Sequence, residues 1–462
     1  MLKKIAVLIA VLVMGVLSEE NELLGLKING WGWIAFGRVG SGIDLPGTEY
    51  DLDFSKMWLS DVNAGLRIEK EFEENFKACV HLGISTAYKL TDPGMPSQEF
   101  QLRRFAPYII EASLRRGFSF GERHSLKLAI GYLPVRYNPQ AANLGEYLFR
   151  STPYPSVFES GFELADKEKV TGLHAGYSMK LLDKSLLNID EYLFSNMKIF
   201  PNFDISEALL ASFNFQQYIE IGGGVCAHGM ISVDKRKTTP GFDPQRISYY
   251  PEQYILIEGN DTTFYTFRGT KLMGRFTLNP QGFFKSSLFG PEDLKIYGEV
   301  ALLGVKNYKG WFENRRERVP RMIGFNFPAF KVLDVLSLQL QYFPNPYYNT
   351  WDNVWKNGTP IPYTGVRYSR PYEEWKADTS LLIDNDDWKW SIYMSRKIGK
   401  RLRLSLLFAN DDTKKTSYMP PPPAQSRYID MMGQTWMEDE KGNERFGIVK
   451  DWYWMAKMMF YL

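Results

Sequence analysis

The stretch that decides the fold is Lys56 to Ala87, KMWLSDVNAGLRIEKEFEENFKACVHLGISTA. In its first arm Trp58, Ser60, Val62, Ala64, Leu66 and Ile68 share one parity, and Leu59, Asp61, Asn63, Gly65, Arg67 and Glu69 share the other. Alternation of period two marks a half-buried strand, and this run is about twice the average length in globular proteins. After the polar turn Lys70 to Asn75 the pattern resumes, with Phe76, Ala78, Val80, Leu82 and Ile84 opposite Lys77, Cys79, His81, Gly83 and Ser85. A strand of ~9–11 residues, apolar outside and polar inside, suits a tilted crossing of a bilayer around a wet interior.

The pattern recurs along the chain. Leu26 to Arg38 precedes the hairpin, with Trp31 and Trp33 expected near a rim, and Gln101 to Leu114 follows it. In the latter, Leu102, Ala106, Tyr108, Ile110, Ala112 and Leu114 are expected to share the apolar side. Leu126 to Tyr132, Val170 to Lys180, Ser185 to Asn196, Ile205 to Phe215 and Ile219 to Val233 come next. Phe264 to Leu278 then pairs with Leu294 to Val305, Met322 to Phe327 with Val335 to Phe343, and Trp388 to Ile398 with Arg401 to Phe408. The last strand is Ile448 to Leu462. Connections alternate between short and long, the rhythm of periplasmic turns and outer loops. The tally is about 16 strands, with 14 or 18 left open because Ile205 to Phe215 and Met322 to Phe327 are poorly patterned.

Composition narrows the class. The 462 residues carry 55 Lys and Arg against 53 Asp and Glu, a net charge of +2, which offers no general field for nucleic acid. Two cysteines exclude a disulfide framework. A mean hydropathy of −0.29 is too polar for a bundle of membrane helices but suits a barrel with a wet lumen. Lys3 and Lys4, the apolar run Ile5 to Leu17 and Val16-Leu17-Ser18 read as a signal peptide over residues 1–18, leaving 19–462 as the barrel.

In the terminal strand Trp452, Trp454, Ala456, Met458, Phe460 and Leu462 share one parity to the end. Here the chain resembles the bacterial outer-membrane β-barrel proteins, specifically the porin group. The resemblance implies an all-β transmembrane antiparallel barrel in the outer membrane, passing small hydrophilic solutes by diffusion. It also implies outer-membrane lipid and the barrel-assembly machinery as partners, and leaves a homotrimer open. In that group the final residue is usually aromatic; here Leu462 ends the chain and Phe460 stands two before it.

The third outer loop of porins folds into the lumen, and Pro134 to Glu168 holds that place here. Glu146, Glu159, Glu163 and Asp166 are its candidate constriction charges, although the short Gly-rich acidic motif of general porins is missing. Inward parity on the strands supplies the candidate pore-lining cations Arg67, Lys77, Arg103, Lys127, Arg275, Lys389, Arg401 and Arg403, along with Lys295. Inward acids are fewer: Asp61, Glu69, Glu111 and Glu299. Charge rings of one sign set ion preference, so a weak anion preference is expected. A sugar-specific porin, suggested by Tyr347, Tyr348, Trp351 and Trp355, and a polysaccharide exporter are the alternatives. An enzyme is less favoured, because His81, His174 and His228 fall on inward parity; an adhesin, also less favoured, would have a plugged lumen and give no conductance. Cys79-Val80-His81 and Cys226-Ala227-His228 each offer two soft ligands on one face, too few for a metal site. Neither metal nor cofactor is expected.

Overall fold

A computed structural model describes residues 25–41, 44–45, 52–53, 58–73, 75–88, 103–149, 169–182, 184–195, 205–228, 230, 253–258, 261–266, 269–283, 287–305, 314–344, 388–410 and 452–461. The expected signal peptide, the aromatic outer loop beyond Pro344 and the stretch holding Glu159, Glu163 and Asp166 lie outside these residues.

Among the described residues sixteen strands close into one antiparallel barrel. They are β1 (Leu26–Ser41), β2 (Trp58–Glu73), β3 (Phe76–Tyr88), β4 (Arg103–Phe120), β5 (His124–Pro134), β6 (Lys169–Leu182), β7 (Ser185–Ser195) and β8 (Ser206–Phe215). The second half comprises β9 (Ile219–His228), β10 (Gly269–Leu278), β11 (Ile296–Leu302), β12 (Arg321–Asn326), β13 (Val335–Tyr342), β14 (Trp388–Ile398), β15 (Leu402–Asn410) and β16 (Trp452–Tyr461). Each strand pairs with its chain neighbour, and β1 pairs with β16 to close the ring, Ile34 opposite Met458. Closure satisfies every strand edge within the sheet, which a bilayer requires because it supplies no hydrogen-bond partners. The expected strand Phe264 to Leu278 divides: Asp261–Thr266 pairs with Gln253–Glu258 in a separate ribbon, and the barrel strand begins at Gly269.

The outer wall is apolar. Ile34, Val80, Leu82, Ile84, Ile130, Leu173, Ile221, Leu272, Ile323 and Leu404 stand exposed on one parity around the circumference. Exposed aliphatic side chains on strand after strand would be an aggregation hazard in water, and they form a band for lipid chains here. No described helix is long and apolar enough to cross a membrane; the strands do the crossing.

Parity holds from β1 to β3 and then changes within β4. A bulge sets His81 opposite Glu111 but Leu82 opposite Ile109. The extra residue reverses the faces above it. Ile109 is therefore half exposed on the lipid side, while Ile110 is buried and the Tyr108 hydroxyl reaches inward to Asn63 at 2.8 Å. The expectation that Ile110 and Tyr108 share the lipid face with Leu114 is corrected by this bulge. Position 103 pairs in register with Tyr88, and the side chain of the candidate Arg103 lies outside those the structure describes.

Trp31 and Trp33 also sit differently from the rim position expected. Trp31 Nε1 donates to His81 Nε2 at 2.6 Å across the inner wall. The Trp31 ring lies over Gly65, where an added Cβ would come within 2.5 Å of it. Glycine there gives the indole a seat on the wall. Trp33 takes the same parity, with Lys457 Nζ 5.1 Å from its ring centre.

Candidate pore constriction

Among the described residues a buried hydrophobic cluster lies inside the ring of strands. Val135, Ala141, Leu144, Tyr147, Leu148 and Phe149, from the segment after β5, pack against Phe194 on β7, Leu210 on β8, Met273 on β10 and Met322 on β12. Leu144 and Leu148 are completely buried. A core inside a barrel wide enough for an aqueous channel means that this segment fills part of the cross-section.

Polar anchors fix the segment in place. Glu299 on β11 is 3% exposed and accepts four hydrogen bonds. Its Oε1 takes the Tyr137 hydroxyl at 2.6 Å and the Tyr147 backbone N–H at 2.9 Å. Its Oε2 takes Asn138 Nδ2 at 2.7 Å and the Glu146 N–H at 3.0 Å. Four donors on two oxygens use the full acceptor capacity of an ionised carboxylate. The two backbone N–H groups converge because Gly145 and Glu146 adopt φ of +102° and +59°. At such a turn successive amides point the same way and form an anion-binding concavity. Gly145 is needed twice over, since a Cβ there would also meet Met322 at 2.9 Å.

A second anchor is Gln339 on β13. Its Oε1 accepts from the Asn143 and Leu144 N–H groups at 3.1 and 3.0 Å, and its Nε2 donates to the Gln140 carbonyl at 3.2 Å and the Tyr297 hydroxyl at 2.9 Å. The Tyr147 hydroxyl donates to Gln341 at 2.8 Å, and Asn143 Nδ2 to Ser391 on β14 at 3.1 Å. Tyr137 is pushed well above its ordinary value by burial, then by the Glu299 and Glu146 carboxylates. It therefore stays a neutral hydroxyl that donates to Glu299 and accepts from the Leu148 N–H at 2.9 Å.

The candidate charges fall into three groups. Glu146 is 3% exposed and its Oε1 accepts the Asn138 N–H at 2.7 Å. It staples the inward segment to itself, so one of its carboxylate oxygens is engaged by the loop's own backbone. Arg275 is paired with Glu220 at 2.5 Å and Lys295 with Glu292 at 2.7 Å, while Lys389 is 3% exposed. The last of these is too deeply buried to present its charge to water. On the opposite arc Arg67 remains accessible, bridging Glu69 at 2.8 Å and Glu111 at 3.8 Å, and Arg115 also pairs with Glu111. Lys77, paired with Glu71 at 3.3 Å, and the exposed Lys127 and Arg401 stand at the turn end, with Arg403 half-buried just above.

The sequence reading marked Glu299 as inward but missed it as the anchor, and missed Gln339 and Gln341 altogether. Their signal was present: SLQLQY on β13 places uncharged amides on the lumen parity, where a solvated wall takes charges as readily. The histidines have structural partners: besides His81 with Trp31, His174 meets Asp190 at 2.9 Å, His228 meets Cys226 at 3.1 Å and His124 meets the Tyr177 hydroxyl at 2.7 Å. Among the described residues no three His, Cys, Asp or Glu side chains gather as a metal site.

No protein-family model matches the chain, and no curated protein matches its sequence. Among solved structures, an engineered variant of the Rh. blastica porin aligns over 95% of this chain and 100% of its own at 8% identity, with a TM-score of 0.41. A triple mutant of the Rhodopseudomonas blastica porin gives the same coverage at 7% identity and a TM-score of 0.42. These overlays are loose, and the fold stands on its own closed hydrogen-bond ladder. That ladder gives the chain the sixteen-stranded antiparallel barrel architecture found in porins.

Proposed function

We propose that the protein is a porin-like channel of the bacterial outer membrane, through which small hydrophilic solutes diffuse passively. The observation that carries this is the segment Val135–Phe149, held across the inside of a closed barrel by Glu299 and Gln339. A fixed obstruction leaves the passage to the arc of β15, β16 and β1 to β4, where Arg67, Arg403 and Lys457 take lumen parity. Among the described residues of that arc Arg67 and Arg115 share Glu69 and Glu111 while Arg403 adds a further cation, and low-dielectric walls focus their field. The channel therefore prefers anions weakly, and the barrel does no chemistry on its cargo. Outer-membrane lipid and the barrel-assembly machinery are its partners in this proposal.

Planar-bilayer recording tests it. Steady ohmic conductance is expected, with a reversal potential favouring chloride over potassium that grows as salt falls, because screening beyond ~8 Å at physiological strength weakens. Arg67→Glu with Arg403→Glu should reverse its sign. An absence of conductance from folded protein would refute the channel, and cation preference in the unmodified protein would refute the charge assignment.

A further inference from the structure

Outside the barrel, at the outer end of β12 and β13, lies a cleft of about 530 Å³ lined by Asn314, Arg316, Glu317, Arg321, Tyr342 and Pro344. We propose that it holds the phosphorylated headgroup of an outer-leaflet lipid. This rests on the outer-membrane orientation proposed above, with the long connections facing outward.

The local sequence builds the cleft. Residues Arg315–Arg318 form a short 3-10 turn, begun by Asn314, whose side chain accepts the Arg316 N–H at 3.0 Å. Arg318 is fully buried, its guanidinium donating to the Gly304 carbonyl at 2.8 Å. That anchor turns one side of the tight turn inward and leaves Arg316 exposed. Arg321 opens β12 on lipid parity: it pairs in register with Tyr342, and its neighbour two residues on is the half-exposed Ile323. Among the described residues neither Arg316 nor Arg321 has an ion-pair partner.

Three features identify the occupant. Two guanidinium groups face the cleft against the single carboxylate of Glu317, so it favours an anion, and the guanidinium fork matches phosphate geometry. Val300, in register with Arg321, and Ile323 and Leu340, the next pair of the same parity, are exposed on the same face, a wall for acyl chains. Tyr342, in register with Arg321, and Trp388, in register with Tyr342, have ring centres 4.9 Å apart and stand in the arginine's own row, where amphipathic aromatics settle at an interface. Positive charge bordered by an aromatic pair at the edge of an apolar wall fits an anionic amphiphile better than a free ion.

The test uses the full-length folded barrel in detergent, titrated with bisphosphorylated lipid A, dephosphorylated lipid A and inorganic phosphate, with bound lipid counted by native mass spectrometry. Bisphosphorylated lipid should bind, and losing one arginine–phosphate pair should cost at least about tenfold in affinity. R316Q with R321Q should therefore weaken binding markedly, R316K with R321K should recover part of it, and R396Q at the turn end should bind as the unmodified protein does. Equal binding of the two lipids, or unweakened binding by the double glutamine variant, would overturn the proposal. So would displacement of the lipid by inorganic phosphate at equal concentration, which would make the cleft a free-anion site. Conductance of the unmodified protein in a phosphatidylcholine bilayer is read separately, so failure of lipid binding and failure of the channel proposal are distinguishable.

Discussion

Replacing Glu299 by alanine should loosen the segment inside the barrel without unfolding the barrel itself. The substitution removes the acceptor for Tyr137, Asn138 and the Glu146 and Tyr147 N–H groups together. Hydrogen bonds to a charged group contribute about 1.5–3 kcal/mol each, but the four share one carboxylate and water can enter the space left behind. A buried donor left unsatisfied costs about 1–3 kcal/mol, so with the space partly hydrated about 3–5 kcal/mol for the set is the better estimate. A change of that size shifts the ratio of released to bound segment by about a hundred- to several-thousand-fold. Gln339 and the buried Leu144 and Leu148 still hold the other part, so the expected state is one that opens transiently. Single-channel records should show a noisier and larger conductance, and protease should cut near Gly145. Glu299→Gln keeps one acceptor oxygen and should fall between the two. If Glu299→Ala kept the native conductance, noise and protease resistance while the barrel remained heat-modifiable, the anchor would be refuted.

Three further outcomes follow from other parts of the wall. Arginine at Leu82 or Leu404, both exposed on the lipid face, should cost ~2–4 kcal/mol each and impair membrane assembly, whereas arginine at Asn63 on the lumen face should be tolerated; heat-modifiability on gels separates the two. Gly65→Ala would bring a Cβ within 2.5 Å of Trp31, so it should displace the indole, break its hydrogen bond to His81 and shift the tryptophan emission; an unchanged spectrum would contradict the seating. Folding raises Tyr137, so its stabilising hydrogen bond is fully present below the ordinary tyrosine value of about 10 and declines as pH rises through the raised folded value. Conductance should be flat through neutral pH and increase only in strong alkali, and Tyr137→Phe should abolish that alkaline increase.

The barrel was legible because its information is local and repeated. Each strand displays its own faces at period two, so Val80, Leu82 and Ile84 announce the lipid side without knowledge of what they pair with. Strand number followed from the same rhythm. Faces failed where one residue broke the count: in RRFAPYIIEASLRRGFSF only Pro107, a residue sheets hold mainly at edges and bulges, hints at the break beside Glu111, and both parities there are largely apolar, so either could face lipid. A register slip of one residue reverses every side chain above it, which is why period-two counting puts the buried Ile110 on the lipid face.

The constriction was illegible for a different reason. The position of the loop after β5 suggested an inward fold, and its carboxylates suggested the charges that would act there. Inside a lumen, though, a segment must satisfy its own backbone before it can present anything to a solute. Four N–H groups, those of Asn143, Leu144, Glu146 and Tyr147, find side-chain acceptors on strands more than 150 residues distant, and a fifth, that of Asn138, is satisfied by Glu146 itself. The chemistry of anchoring thus consumes Glu146 and Glu299, two of the acids most suited to setting a field. What remains accessible on the opposite arc is weighted toward Arg67, Arg403 and the basic turn-end residues. The weak anion preference proposed for this channel therefore follows less from a surplus of basic residues in the whole chain, whose net charge is only +2, than from which acids the fold withdraws from water.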